Sequence, residues 1–427
     1  MLYERWRQTA REHAAELALC DLASDRRFTF AELASTAEAG PSPTDPVAFP
    51  QGISAEFVLT VLRAWRHGQI VCPLEASQSP PALRELPPGC VHVKTTSAST
   101  GPGRRLLFTA EQLAADADHI VTTMDLRPDW PNLGVISLAH SYGFSNLVLP
   151  LLLHGIPLFM LNSSLPEAAR QAATRVGPCT LPAVPALWRA WHEAGATSPN
   201  VKLAISAGAP LPLALEEAVF RQHGLKLHNF YGASECGGIA YDTTTAPRTD
   251  PACIGAPMRN VTLRVSDDGC LEVRSRSVGQ TYWPTTDPSL ADGCFRTSDL
   301  AELKDGCVYL RGRATEQINV AGRKVSPEWI ESKLAQHPAV RECLVFGVPS
   351  GDAGRGEAIV ACVAANAGVT SQQLKQFLLS QLAPWQIPRE WIFVEALPTN
   401  ERGKLSRAEW RNQFLAERRT RGWWPRS

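Results

Sequence analysis

Along the first two thirds of the chain, short apolar runs alternate with stretches of helical pattern. After an N-terminal helical block, the runs at 69–74, 91–93, 134–138, 156–161, 201–206 and 225–230 read as strands. Two helices have explicit end signals. Thr109 stands before one with Gln112 three places on, the spacing of a capping box, and another, opening near Ser141, stops at Gly155. Strands alternating with helices predict a layered α/β domain.

From Asn260 the pattern changes. "VTLRVSDDGCLEVRS" sets Asp-Gly between two strand-like runs and reads as a β-hairpin, and "ELKDGCVYLRGR" reads as a second, so a small β unit completes the layered domain. Beyond Arg313 the order is a strand in "QINVAG", a helix opening at "SPEWIESKL" with proline in its first turn, strands at 340–348 and 357–364, a helix near 371 and a strand at 391–394. The fold class expected is therefore α/β: a large layered N-terminal domain over 1–312 with a small β unit, then a smaller α+β domain over 313–427. No internal repeat or low-complexity tract interrupts this plan.

Composition narrows the function. At 427 residues the chain exceeds what one hydrophobic core organises, in keeping with two domains. Lys plus Arg equals Asp plus Glu at 42 each, so net charge offers no general attraction to nucleic acid or an anionic membrane. Eleven cysteines are scattered without a CxxC pair, and an odd number cannot all pair, which fits a reducing cytoplasm. His140 and His154 bracket no second ligand pair, so a structural zinc is not expected. The opening "MLYERWRQTAREHAAELAL" carries acidic residues and no long apolar core, unlike a signal peptide, and the greasiest run, Leu147 to Leu153, is too short to span a bilayer.

"TTSASTGPGRR" (95–105) offers small hydroxyls, glycine, proline and arginine. Its backbone N–H groups and hydroxyls suit an anion cradle, and its composition equally suits a surface turn. The pattern GxxxxGK[ST] is absent here and at "NERGKLSR", where Pro398 holds the first glycine's place, which removes a phosphate-loop NTPase from consideration. Four further stretches follow in order: "YGASECGG" (231–238), "FRTSDL" (295–300), "RGRATEQINVAGRKVSPEWIE" (311–331) and "LPTNERGKLSR" (397–407). Jointly these resemble the adenylate-forming superfamily of acyl-CoA and aryl-CoA synthetases, carrier-loading adenylation domains and luciferases, over about residues 8–410.

The resemblance implies an AMP-forming acid–thiol ligase. A carboxylate attacks the α-phosphate of ATP, pyrophosphate leaves, and a thiol of coenzyme A or of a carrier's phosphopantetheine then attacks the acyl-adenylate. The implied cofactors are ATP and Mg2+, and the implied partners are a carboxylic acid and, in the carrier version, an acyl carrier protein. Thr96, Ser97, Ser99, Thr100, Gly101 and Arg104 occupy the phosphate-gripping loop, with Ala98 in place of a glycine and Gly103-Arg104 in place of Pro-Lys. If residue 98 needs a positive φ, alanine there costs about 1–2 kcal/mol. Tyr231, Gly232, Ser234 and Glu235 match the family's Y-G-x-T-E; by that match Tyr231 stacks near adenine, Ser234 touches the α-phosphate, and Glu235 holds Mg2+, which favours one or two carboxylates plus phosphate oxygens.

Asp299 matches the aspartate that takes both ribose hydroxyls, with Ser298 where glycine is usual, and Arg313 matches a nucleotide contact at the domain junction. Glu316 falls on the hinge about which the C-terminal domain swings between two reaction poses. Gly322 matches a glycine beside the pantetheine channel, where a side chain would obstruct close approach. Lys324 is placed to meet a phosphate there, or stands as an exposed strand-end lysine. Lys404 matches the lysine that bridges the carboxylate and the α-phosphate in the first half-reaction. His140 in "AHSYGFSN" is a candidate gate of the acid pocket, and Gly208, Ala209 and Pro210 in "SAGAPLP" match the lining of the adenine and acyl channel.

Three points stay open at this level. The chain is shorter than is usual for the family, the deficit falling before residue 95. The basic end "AERRTRGWWPRS" (416–427) reads as a frayed tail or as a contact for acceptor phosphates. The departures at Ala98, Gly103 and Ser298 also motivate a different class, a catalytically silent relative that binds nucleotide or acyl ligand, against which stand Glu235, Asp299, Arg313 and Lys404.

Overall fold

The parallel sheet of the large domain is built as the strand–helix alternation predicts. In this computed structural model, which describes residues 1–40, 42–83, 85–95, 104–350, 356–397 and 406–420 with side chains in the last helix through 418, Val201–Ser206 lies parallel to both Leu227–Ala233 and Cys179–Ala183. Asn132–Gly134, Leu158–Met160 and Leu17–Asp21 extend the sheet in that order, each parallel to its neighbour. Beyond Leu227–Ala233 the chain folds back as Gly237–Tyr241 and passes antiparallel into the predicted hairpins, Thr262–Val265 with Cys270–Arg274 and Cys294–Lys304 with Cys307–Arg313. In the second hairpin Asp305 and Gly306 both take positive φ (51° and 75°), as an Asp-Gly two-residue turn requires.

A second sheet holds Thr281–Trp283, Arg105–Phe108, His92–Thr95, Ile70–Val71 and Val47–Ala48. The C-terminal domain has its own three-stranded sheet, Val340–Pro349 antiparallel to Glu357–Ala365 and Glu390–Val394 parallel to it. Separate apolar cores serve the two parts: Trp6, Trp188, Trp191, Phe57 and Phe144 are fully buried in the large one, and Ile330, Leu334, Leu374 and Leu378 in the small one. The α/β class, with a large sheet domain and a smaller C-terminal one, is the observed architecture.

Several strands differ in extent from their apolar runs. The run 134–138 is strand only at Asn132–Gly134; Val135, Ile136 and Leu138 are buried but outside the ladder, because their apolarity reflects the core beneath a loop. Likewise 69–74 is strand only at Ile70–Val71, with a single parallel bridge from Leu74 to Gln51, while 225–230 shifts to Leu227–Ala233. The capping box at Thr109 is present, with Gln112 reciprocating, at the start of Ala110–Met124. The segment predicted to run from Ser141 to Gly155 is helical throughout but contains a π turn, Phe144–Val148, and Gly155 ends it at φ 70°. Among the described residues no helix is long and apolar enough to cross a membrane, and all eleven cysteines are free thiols.

Candidate functional site

The segments singled out in the sequence follow the carboxyl ends of strands. His92–Thr95 leads to 96–103, Asn132–Gly134 to His140, Val201–Ser206 to 207–212, and Leu227–Ala233 to 234–236. Such loops form the binding rim of α/β sheets. Thr96, Ser97, Ser99, Thr100, Gly101 and Lys404 lie outside the described residues.

The turn carrying Glu235 is seated on a buried carboxylate. Ser234, Glu235 and Cys236 connect two antiparallel strands, and Gly237 follows at φ 72°, where a Cβ would stand 1.9 Å from Asp116 Oδ1. Only glycine allows both the torsion and that approach. Asp116 accepts from the backbone N–H of Gly238 (3.2 Å) and from Ser145 Oγ (2.6 Å). The carbonyl of Glu235 accepts from Gly279 (2.8 Å), and its Oε1 accepts from the Tyr282 hydroxyl (2.9 Å). Burial, and then the Glu235 charge, push the Tyr282 phenol up, so it remains a donor. Arg104 lies over the Tyr282 ring, 5.1 Å from its centroid, and pairs with Asp287 at 2.8 Å. The residue expected to hold metal and the cation expected at the phosphates are thus joined through one aromatic ring.

Asp299 is the second focus. It faces Arg313 across the ladder between Cys294–Lys304 and Cys307–Arg313. Its Oδ2 accepts from the Tyr231 hydroxyl (2.5 Å) and its Oδ1 from Arg313 Nε (3.0 Å). Burial, then Asp299, hold the Tyr231 phenol well above its ordinary pKa. For Arg313 burial opposes the charge, but the Asp299 carboxylate outweighs it and raises its pKa. A carboxylate offers about four lone-pair sites, so each Asp299 oxygen keeps capacity for one more donor.

Ser234 Oγ accepts from Ser141 Oγ at 3.0 Å, which brings the Glu235 turn against the helix start next to His140. His140 Nε2 is 3.4 Å from Glu75 Oε1, the oxygen that also accepts from Ser137 Oγ (2.7 Å). Gly208, Ala209 and Pro210 are exposed on the rim, and Gly232 is exposed beside them. The adjoining Leu211 carbonyl is held by buried Arg248 (2.8 Å), itself paired with fully buried Glu216 (2.9 Å).

At the junction, Glu316 closes a 3-10 turn, Ala314–Glu316, and forms ion pairs with Arg313 (3.6 Å) and with Arg407. Arg407 also meets Glu328 (2.9 Å) and both oxygens of Glu331 (3.0 and 3.1 Å), and donates to the Val345 carbonyl (2.8 Å). Ala321 (φ 53°) and Gly322 (φ 79°) form the tight turn between Ile318–Val320 and Arg323–Val325, and no atom lies within 4 Å of a Cβ built at Gly322. Lys324 is exposed on that hairpin.

The structure therefore brings Tyr231, Asp299, Arg313, Glu316 and Arg407 into one charged chain, and Arg104, Tyr282, Glu235, Ser234 and Ser141 into contact around one turn. Tyr282, Asp287, Glu75 and Arg407 were not among the candidates from the sequence. Their partners lie tens of residues away or more, and only Arg407, closing "GKLSR", sits inside a quoted motif.

Comparison with known proteins places the chain among relatives by sequence and by fold. Residues 90–283 match the family described as AMP-binding enzyme, and residues 329–404 match the AMP-binding enzyme C-terminal domain. A probable 2-succinylbenzoate CoA ligase of Mycobacterium tuberculosis is 29% identical over 342 residues, covering 76% of this chain and 85% of that protein. A long-chain-fatty-acid CoA ligase of Bacillus subtilis is 24% identical over 335 residues; the match covers 73% of this chain but 60% of the relative's length. Among solved structures, ATP-bound MatB from Rhodopseudomonas palustris superposes with a TM-score of 0.85 at 21% identity, covering 97% of this chain and 98% of that one. With both AMP-binding enzyme regions matched in order, together over more than half of its length, the chain belongs to the AMP-binding enzymes.

Proposed function

We propose that this protein activates a carboxylic acid with ATP to an acyl-adenylate, releasing pyrophosphate, and passes the acyl group to the thiol of coenzyme A. The observation that carries the reading is the charge chain Asp299–Arg313–Glu316–Arg407, with Tyr231 at its inner end. It starts at the carboxylate assigned to the ribose and ends three residues from Lys404, at most about 10 Å of extended chain.

In this reading Asp299 uses its remaining lone pairs for the two ribose hydroxyls, while Tyr231 and Arg313 fix its plane. Arg104 and the 96–101 hydroxyls neutralise the outgoing pyrophosphate, and Ser234 faces the α-phosphate. Lys404 draws the attacking carboxylate and the α-phosphate together, offsetting their mutual repulsion as the new P–O bond forms and the bond to pyrophosphate breaks. His140, held by Glu75, walls the acid pocket with Gly208, Ala209 and Pro210. Domain 313–427 is the mobile part, turning at Glu316 to exchange the lysine for the acceptor thiol, with Gly322 and Lys324 on its acceptor side.

The residues fit a magnesium site. Glu235 offers one oxygen, its other being held by Tyr282, beside Arg104; one carboxylate completed by nucleotide phosphates is the donor set Mg2+ favours. When bound, Mg2+ neutralises phosphate charge.

Pyrophosphate exchange against a panel of acids, including malonate, 2-succinylbenzoate, ferulate and fatty acids, tests the reading. Exchange is expected with at least one acid, and Lys404→Ala is expected to lower it about 100-fold or more. A silent panel with intact ATP binding would replace this reading with a nucleotide-binding regulator. Coenzyme A set against a phosphopantetheinylated carrier then distinguishes the acceptors.

A further inference from the structure

The 398–405 segment that carries Lys404 is bracketed by two anchors of different kinds. Its far end is held by Arg407 on Glu316, Glu328 and Glu331, all within the junction and the C-terminal domain. Its near end is held by Glu342, on Val340–Pro349, whose Oε2 accepts from the backbone N–H of Leu397 at 3.4 Å. Arg341 on the same strand donates to the Glu395 carbonyl (2.8 Å). The other oxygen of Glu342 leaves the C-terminal domain altogether. Oε1 pairs at 2.8 Å with Arg189, on helix Pro185–Glu193 of the large domain, where Trp188 and Trp191 anchor that helix in the core.

We propose that Arg189 is a positioning residue for the first half-reaction: by holding Glu342 it latches the C-terminal domain in the pose that presents Lys404. The proposal rests on the reading above. Arg189 and Glu342 lie on opposite sides of the Glu316 junction, so any large rotation there separates them, whereas the Arg407 contacts to Glu328 and Glu331 travel with the domain. A contact made in one pose only shifts the balance between poses by its own energy. Because Glu342 also holds Leu397, the latch and the start of the lysine segment share one carboxylate, and loss of Arg189 frees both. Arg189 is a sound target since its side chain is 31% exposed.

The test is Arg189→Ala, with Arg189→Lys beside it. Pyrophosphate exchange, using the acid the wild type turns over fastest, is expected to fall about twofold to fivefold in the alanine variant, the range a partly exposed ion pair supports. Most of the rate is expected to return with lysine. Conversion of the chemically prepared acyl-adenylate of that acid to its coenzyme A thioester is expected to be unchanged or faster. Hydrogen–deuterium exchange with ATP and Mg2+ but no acid supplies a readout independent of turnover, and peptides across 395–410 are expected to exchange faster in Arg189→Ala. Equal slowing of both half-reactions, or unaltered exchange across 395–410, would overturn the latch. If the wild type turns over no acid, the functional reading fails on its own account and the deuterium measurement still decides this one.

Discussion

Tyr282 shows how a single hydroxyl holds Glu235, the carboxylate proposed to take Mg2+. Its strand pairs with Arg105–Phe108 and its ring lies under the Arg104 guanidinium, so phenylalanine keeps the ring and removes the hydroxyl, which donates to Glu235 and also meets Arg104. A hydrogen bond to a charged group contributes about 1.5–3 kcal/mol. For Tyr282→Phe, the Mg2+ concentration giving half-maximal pyrophosphate exchange is expected to rise about tenfold or more, with the rate at saturating Mg2+ within about twofold of wild type. A Mg2+ titration that superposes on the wild type would show that Tyr282 does not hold Glu235. The residues with local motifs, Tyr231, Ser234, Glu235, Asp299 and Arg313, were legible because the chemistry of a nucleotide fixes residue types over a few positions. Tyr282 and Glu75 were not, since each acts on a partner 47 or more residues away and no spacing rule reaches that far.

At the level of elements, what the sequence announced was what local chemistry controls: the Thr109 capping box, the Asp-Gly hairpins, and Ser326 capping the helix that opens with Pro327. Strand ends were less legible, because burial marks residues such as Val135 and Leu138 whether or not they pair. Contacts between helices were invisible. Helix Leu2–Glu12 is tied to Ala110–Met124 and Leu149–His154 by a triad in which Asp118 meets Arg5 (2.5 Å) and His154 (2.9 Å). Burial alone would raise the Asp118 pKa, but hydrogen bonds from His154 and Arg5 carry it well below the usual carboxylate range. A depressed folded pKa gives stability that is present above the unfolded value of about 3.9 and fades as pH falls through the folded one. Asp118 is nearly half exposed, so the effect is screened to under about 1 kcal/mol. Urea midpoints of wild type and Asp118→Asn are therefore expected to differ at neutral pH and to converge below about pH 4. A gap as wide at pH 3 as at pH 7 would assign the triad a role other than charge pairing.

Across the whole molecule, the two domains meet where the last strand of the large one touches the first long helix of the small one. Gly312, directly before Arg313, has φ 111°, and a Cβ there would stand 2.0 Å from Ser326 Oγ and 2.8 Å from Glu328 Oε2. Ser326 accepts from Trp329 N–H (3.3 Å) to start helix Pro327–Leu334, and it donates to Glu328 (2.6 Å). That helix carries Glu328 and Glu331, which hold Arg407 beyond Lys404. One methyl group at Gly312 thus displaces the cap, tilts the helix and shifts the anchor of the lysine segment. Gly368 provides the control, having a similar torsion (φ 89°) with nothing within 4 Å of its Cβ position. Alanine at either glycine is expected to cost about 1–2 kcal/mol from the backbone alone, so both variants should melt a few degrees early. Only Gly312→Ala is expected to slow pyrophosphate exchange, about tenfold or more if the lysine is misplaced by about an ångström. If the two variants lose exchange in proportion to their lost stability, the junction merely links the domains; a loss confined to Gly312→Ala means that the fit of strand against helix there sets where Lys404 arrives.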